Sequence, residues 1–290
     1  MERIIKAVER AKGSNTADAP SQGQMSASAQ QPQLRPTANA GGATQLWGKE
    51  VVLNGDQLES NRIISHDVSD PRSKSFDMLR TQVLQSMAMK SWQLLGVTSA
   101  TAGCGKSTIA ANLALSIARQ PGRSVMLVDM DLQKPQIAKS LGLTCKEGLI
   151  SVLSGRSKLT DVLVQAQIKN ERFLVLPCES SMLNSSEWMA SRAIAALFQE
   201  IKRDFRGCTV ICDMPPMLVG DDVISVLPQI DCILFVAATG ATTVAEIKEC
   251  TKHLESTSIV RVVLNKSVDL TSYYYSRYGH YSSPEMQTQP

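Results

Sequence analysis

Val97-Thr98-Ser99-Ala100-Thr101-Ala102-Gly103-Cys104-Gly105-Lys106-Ser107-Thr108 closes the apolar run Leu94 to Thr98 and opens an Ala/Leu/Ile-rich stretch that continues through Arg119. Strand, glycine turn and helix, in that order, form the context of a phosphate-binding loop. Glycine is required where the backbone curls its N–H groups around an anion, and a helix N-terminus behind the loop adds its dipole. Gly103 and Gly105 supply the curl. Lys106 is placed to reach β- and γ-phosphates, and Ser107 to put its hydroxyl on Mg²⁺. Ala100 stands where the pattern G-x-x-x-x-G-K-[ST] has its first glycine. Ala102, Gly103, Cys104, Gly105, Lys106, Ser107 and Thr108 are therefore the candidate nucleotide-binding residues, with ATP and Mg²⁺ as the expected ligands. Cys104 reads as a small filler pointing away from the phosphates rather than a redox sensor.

Further apolar runs follow at Val125 to Val128, Val210 to Cys212, Ile233 to Ala237 and Val260 to Leu264, with helical patterns between them. That alternation predicts an α/β fold, a parallel sheet with helices on both faces. The second run ends in Val128-Asp129-Met130-Asp131 and the third in Cys212-Asp213-Met214-Pro215-Pro216, so acids stand at successive strand ends, where such folds bind ligands. If the strand continues past Asp129, the spacing of two puts Asp129 and Asp131 on one face. Carboxylates there hold a metal, orient its waters or accept a proton from an incoming hydroxyl. Asp213 is the expected Mg²⁺ partner of the loop; Ser107, Asp129 and Asp213 form the candidate metal set, and Lys106, Asp129, Asp131 and Asp213 the catalytic set. Asn265 closes the last run, where an adenine reader and a turn residue are both open readings.

The five tyrosines, Tyr273, Tyr274, Tyr275, Tyr278 and Tyr281, all lie near the C-terminus. Their surroundings hold too little aliphatic content for a core, so residues 268–290 read as an exposed, flexible tail offering phenol groups. An aromatic tail for stacking and a phosphoacceptor cluster are both open from the tail alone. At the other end, residues 1–12 suit a short amphipathic helix. Residues 13–46 read as a disordered linker, because Ala, Gln, Ser, Pro and Gly cannot bury enough apolar area to offset chain entropy. The folded part is expected over 47–267. Asp70-Pro71 precedes Phe76, Leu79, Val83, Leu84 and Met87 at helical spacing, which predicts a helix over about 71 to 89.

Hydrophobic residues make up 43% of 290, ample for a core, and the net charge of +3 is too small to signal nucleic acid as a partner. Seven scattered cysteines without a C-x-x-C pair suggest reduced thiols in a cytoplasmic protein rather than a redox dithiol or sulfur-ligated metal. No apolar run reaches the roughly 20 residues needed to cross a bilayer.

Thr98 to Thr108, Leu127 to Pro135 and Ile211 to Pro216, with the tyrosine tail, resemble the bacterial tyrosine kinases of capsule and exopolysaccharide assembly, which look like relatives of the Min and Par partitioning ATPases. The likeness spans about residues 60 to 281. It implies a P-loop, Min/Par-like fold over 47–267 and ATP-dependent autophosphorylation of the tyrosine cluster. It also implies self-association in a ring-like homo-oligomer. A separate transmembrane polysaccharide co-polymerase is expected to act as activator in trans and bring the protein to the inner face of the plasma membrane. The partitioning ATPases carry a signature lysine where this chain has Thr101; its absence favours the kinase reading over a positioning ATPase. Two features depart from the family pattern. Gln133 followed by Lys134 replaces the usual Asp-x-Asp-x-Arg arginine, and Lys74-x-x-Asp77-x-x-Arg80 replaces Glu-x-x-Arg-x-x-Arg, so these three side chains either face a neighbouring subunit or form intrahelical salt bridges.

Overall fold

The computed structural model describes residues 48–255 and 257–267. The expected N-terminal helix, the linker and the cluster Tyr273, Tyr274, Tyr275, Tyr278 and Tyr281 lie outside the described residues. The elements are β1 (Lys49–Val52), α1 (Gly55–Ser60), α2 (Ser73–Lys90), β2 (Leu94–Ser99), α3 (Lys106–Ala118), β3 (Ser124–Asp129) and α4 (Ile137–Leu141). They continue with α5 (Leu149–Leu153), α6 (Leu159–Val162), β4 (Val164–Ile168), β5 (Glu171–Leu176), α7 (Ser185–Met189), α8 (Arg192–Asp204) and β6 (Cys208–Asp213). The last are α9 (Asp222–Val226), β7 (Cys232–Ala238), α10 (Val244–His253) and β8 (Ser258–Asn265).

The strands form one sheet in the order β1-β4-β5-β3-β6-β2-β7-β8. All five apolar runs named from the sequence are strands, and β2, β3, β6, β7 and β8 pair in parallel. The sheet is mixed rather than wholly parallel, because β4 and β5 pair antiparallel across the two-residue connection Lys169-Asn170. Lys169 supplies the positive φ of 53° that so short a reversal needs. The inner strands β2, β6 and β7 are buried along their whole length, which is why they read as continuous apolar runs instead of alternating ones.

Helix α3 is buried from Ile109 to Ile117. One polar residue in that stretch, Asn112, is fully satisfied: its Oδ1 accepts from Ile64 N (2.8 Å) and Ser65 N (3.0 Å), and its Nδ2 donates to Arg62 O and Thr108 O (2.9 Å each). Helix α2 begins two residues later than expected. Asp70 still caps its approach, Oδ1 accepting from Arg72 N at 2.8 Å. Ser91 ends the helix in the left-handed conformation.

Candidate active site

The site is assembled where β2, β3 and β6 end side by side. Gly103 (φ 78°) and Gly105 (φ 92°) turn the chain after β2 through left-handed conformations, and α3 starts at Lys106. A β-carbon at Gly105 would collide with the Asn265 amide, so this position combines a backbone and a space requirement for glycine. Asn265 holds the loop, its Nδ2 donating to Cys104 O at 2.9 Å. The Cys104 thiol packs inward, 3.5 Å from the Thr242 hydroxyl.

Parallel pairing sets Asp129 of β3 directly beside Asp213 of β6, both fully buried. Asp129 Oδ2 accepts from Gln136 N (3.0 Å) and Ile137 N (2.9 Å), which anchors the start of α4. Its Oδ1 has no hydrogen-bond partner, and neither oxygen of Asp213 has one of regular geometry. Burial, with the neighbouring Asp213 charge, pushes the Asp129 carboxyl well above the usual range. Burial likewise raises Asp213 to about 6, against the pull of Lys106 and the Ser107 hydroxyl.

β3 ends at Asp129, so Asp131 does not share a strand face with it; the spacing argument fails there because the backbone leaves the sheet. Asp131 reaches the loop instead. Its Oδ2 accepts from Lys106 Nζ at 2.7 Å, and its Oδ1 from Lys134 N at 3.0 Å. Burial works against the Lys106 ammonium, but Asp213, Asp131 and Asp129 more than offset it and its pKa is raised.

Ala102, Gly103, Gly105, Lys106, Ser107 and Thr108 line an open cavity of about 750 Å³, which Asp131 and Asn265 also border. Among the described residues no three carboxylate, thiolate or imidazole groups close a metal site by themselves. Asp129 and Asp213 lie behind the cavity lining, and their orphaned buried oxygens, with the Ser107 hydroxyl beside Asp213, nevertheless suit a hard cation that takes its remaining ligands from phosphate and water.

Gln133 and Lys134 both border the cavity, and Gln133 is held at its edge by Nε2 donating to Ser185 Oγ and Asp222 Oδ2 (3.0 Å each). On α2, Asp77 accepts from Arg80 (3.0 Å), and the pair extends to α3, where Arg119 (3.0 Å) and Ser116 (2.7 Å) also donate to Asp77. Asp77 and Arg80 thus join α2 to α3 within one chain. Sequence reasoning did not single out Arg62, which borders the cavity, or Asn112; the available signal for the second was a lone amide in the apolar run Ile109 to Leu115.

The ParA family, described as NUBPL iron-transfer P-loop NTPase, matches residues 91–274. The chain belongs to this P-loop NTPase family. The putative tyrosine-protein kinase EpsB of Ralstonia nicotianae is 30% identical over 216 residues, 73% of this chain and 28% of its own length. The chain thus spans under a third of that relative. The tyrosine-protein kinase YwqD of Bacillus subtilis is 28% identical over 244 residues, 80% of this chain and 95% of its own. The solved kinase domain of Escherichia coli tyrosine kinase ETK superposes with a TM-score of 0.63 at 25% identity, covering 70% of this chain and 79% of that one. A ParA-type P-loop binds nucleotide, and among the described residues no helix is long and apolar enough to cross a membrane.

Proposed function

We propose that this P-loop NTPase is an ATP- and Mg²⁺-dependent protein-tyrosine kinase that phosphorylates its own cluster Tyr273, Tyr274, Tyr275, Tyr278 and Tyr281. The observation that carries the reading is the Lys106–Asp131 pair at 2.7 Å beside two buried carboxylates with unused oxygens. The Gly103-to-Thr108 backbone cradles the nucleotide phosphates. Anionic phosphate competes with Asp131 for Lys106, so nucleotide entry frees Asp131 to take the proton of an incoming phenol hydroxyl. The phenol oxygen then bonds to the γ-phosphorus as the bond to the β,γ-bridging oxygen breaks, and ADP leaves. Ser107, Asp129 and Asp213 would hold Mg²⁺, which supplies neutralisation of the phosphate charge. Asn265, tied to the loop by its Nδ2, keeps its Oδ1 for the adenine amino group.

The setting we assign is regulation of exopolysaccharide or capsule polymerisation and export. Likeness to the succinoglycan biosynthesis transport protein ExoP of Rhizobium meliloti, 26% identical over 244 residues, supports it. A transmembrane co-polymerase acts as activator in trans and recruits the chain to the inner membrane face, and the tail of one subunit enters its neighbour's site in a self-associated assembly. The domain limits we assign are 47–267 for the kinase domain, with residues 1–46 before it and the tyrosine-bearing residues 268–290 after it.

The test is incubation of pure protein with Mg·ATP, with and without the activator's cytoplasmic segment, followed by mass spectrometry. Phosphate on serine or threonine only would overturn the assignment. Mixing a Lys106→Met chain with a chain whose five tyrosines are Phe reads the transfer between subunits: phosphate on the Lys106→Met tail requires it, and an unlabelled tail in an active mixture excludes it.

A further inference from the structure

Arg62 stands in an energetically unfavourable place for an arginine. It follows α1 in the left-handed conformation (φ 62°), its N–H donating to Glu59 O (2.8 Å) and the next N–H, of Ile63, to Leu58 O (2.8 Å). That is the helix-ending motif in which glycine is the usual occupant, because a β-carbon is disfavoured there. Glycine or asparagine is favoured at such a position, so the arginine costs some stability there.

Its backbone is fastened to the phosphate site. The buried Asn112 of α3 donates from one amide nitrogen to Arg62 O and to Thr108 O, the latter in the first turn behind the phosphate loop. The same side chain accepts from Ile64 N and Ser65 N, so three of its four hydrogen bonds hold this segment against α3. Arg62 borders the cavity together with Lys106 and Ser107. Among the described residues its guanidinium has no acidic partner, whereas neighbouring Arg72 is committed to Asp70 (2.6 Å) and Lys106 to Asp131 (2.7 Å). Lys134 and Lys266 also border the cavity, the one bonded through its N–H to Asp131 and the other following Asn265, which bonds Cys104 O.

We infer that Arg62 is a further substrate-binding residue, a guanidinium carried in cis to the γ-phosphoryl group of the nucleotide, with Asn112 as its positioning residue. This rests on the nucleotide-binding reading of the cavity. A cation fixed to the helix that cradles the phosphates suits a group bound by that same helix better than a phosphotyrosine on a tail. Planar forked donors also match phosphoryl oxygens.

The experiment measures calorimetric affinity of the full chain for Mg·ADP and for a Mg-bound non-hydrolysable ATP analogue, in wild type, Arg62→Gly, Arg62→Asn and Arg62→Lys. Gly and Asn both suit the left-handed backbone, so their melting temperatures are expected to equal or exceed that of wild type. The preference for the ATP analogue over ADP should fall about tenfold or more in Gly and Asn, the scale of one charge-assisted hydrogen bond, and partly recover in Lys. An unchanged preference overturns the inference, and so does loss of binding to a phosphotyrosine tail peptide with the nucleotide preference intact, because the guanidinium then serves the product. Wild type that binds neither nucleotide would instead remove the nucleotide reading itself.

Discussion

Asp131→Asn separates the chemical role of the Lys106–Asp131 pair from its structural one. The two side chains are 12% and 6% exposed, and breaking a buried pair ordinarily costs about 3–5 kcal/mol because the remaining charge is stranded. Lys106 is not stranded here, since Asp213 and Asp129 also favour its charge. The asparagine keeps the shape and an acceptor for Lys134 N. What is lost is one charge-assisted bond, about 1.5–3 kcal/mol. What is gained is relief of the repulsion that Asp131 exerts on Asp213 and Asp129, where each pKa unit is worth about 1.4 kcal/mol. The two nearly cancel, so urea unfolding should shift by no more than about 1 kcal/mol either way. Nucleotide affinity should hold or rise, because Lys106 no longer has to leave a partner. Phosphotyrosine formation at saturating Mg·ATP with the activator segment should drop about 100- to 10,000-fold, the usual worth of a positioned proton acceptor. A rate within tenfold of wild type, or a stability loss above about 3 kcal/mol, would refute this reasoning.

Asp213 gives the site a pH signature in chelator-treated protein. Its folded pKa of about 6 lies above the ordinary carboxyl value of 3.8, so its contribution to stability is full below about pH 4 and disappears as pH rises through 6. Asp213→Asn should therefore match wild type near pH 4 and exceed it above pH 6 by an amount on the order of 3 kcal/mol; a difference independent of pH contradicts the burial argument. Gly105→Ala should weaken nucleotide binding about tenfold or more, from about 1–2 kcal/mol of left-handed strain plus the collision with Asn265, and calorimetry showing wild-type affinity would count against it. Asp77→Ala removes the acceptor shared by Arg80, Ser116 and Arg119, so a stability loss of about 2–3 kcal/mol is expected with self-association unchanged. Light scattering that shows lost assembly at unchanged melting temperature would reassign Asp77 to the subunit interface.

The central strands were legible because full burial on both faces writes itself as unbroken apolar runs, and the loop because glycine, lysine and serine have few other reasons to sit together there. The strands left unnamed, β1, β4 and β5, lie together at one end of the sheet. In β4, Val164-Gln165-Ala166-Gln167-Ile168 alternates at period two, and the Lys169-Asn170 reversal lacks the glycine that marks most tight hairpins. The three aspartates were visible as strand-end acids. Their partners were not, because the Asp129–Asp213 neighbourhood depends on β3 pairing with β6, and Asp131 reaches Lys106 only after the chain leaves the sheet. Arg62 and Asn112 lie 50 residues apart in sequence, and their bond exists only in the fold.

Site-resolved mass spectrometry of the full chain after incubation with Mg·ATP and the activator segment, beside Lys106→Met, decides whether the chain phosphorylates its own tyrosines. Phosphate confined to Tyr273, Tyr274, Tyr275, Tyr278 and Tyr281 in wild type, and absent from Lys106→Met, is the expected result. Nucleotide turnover with an unmodified tail, or equal labelling of the two proteins, would contradict it.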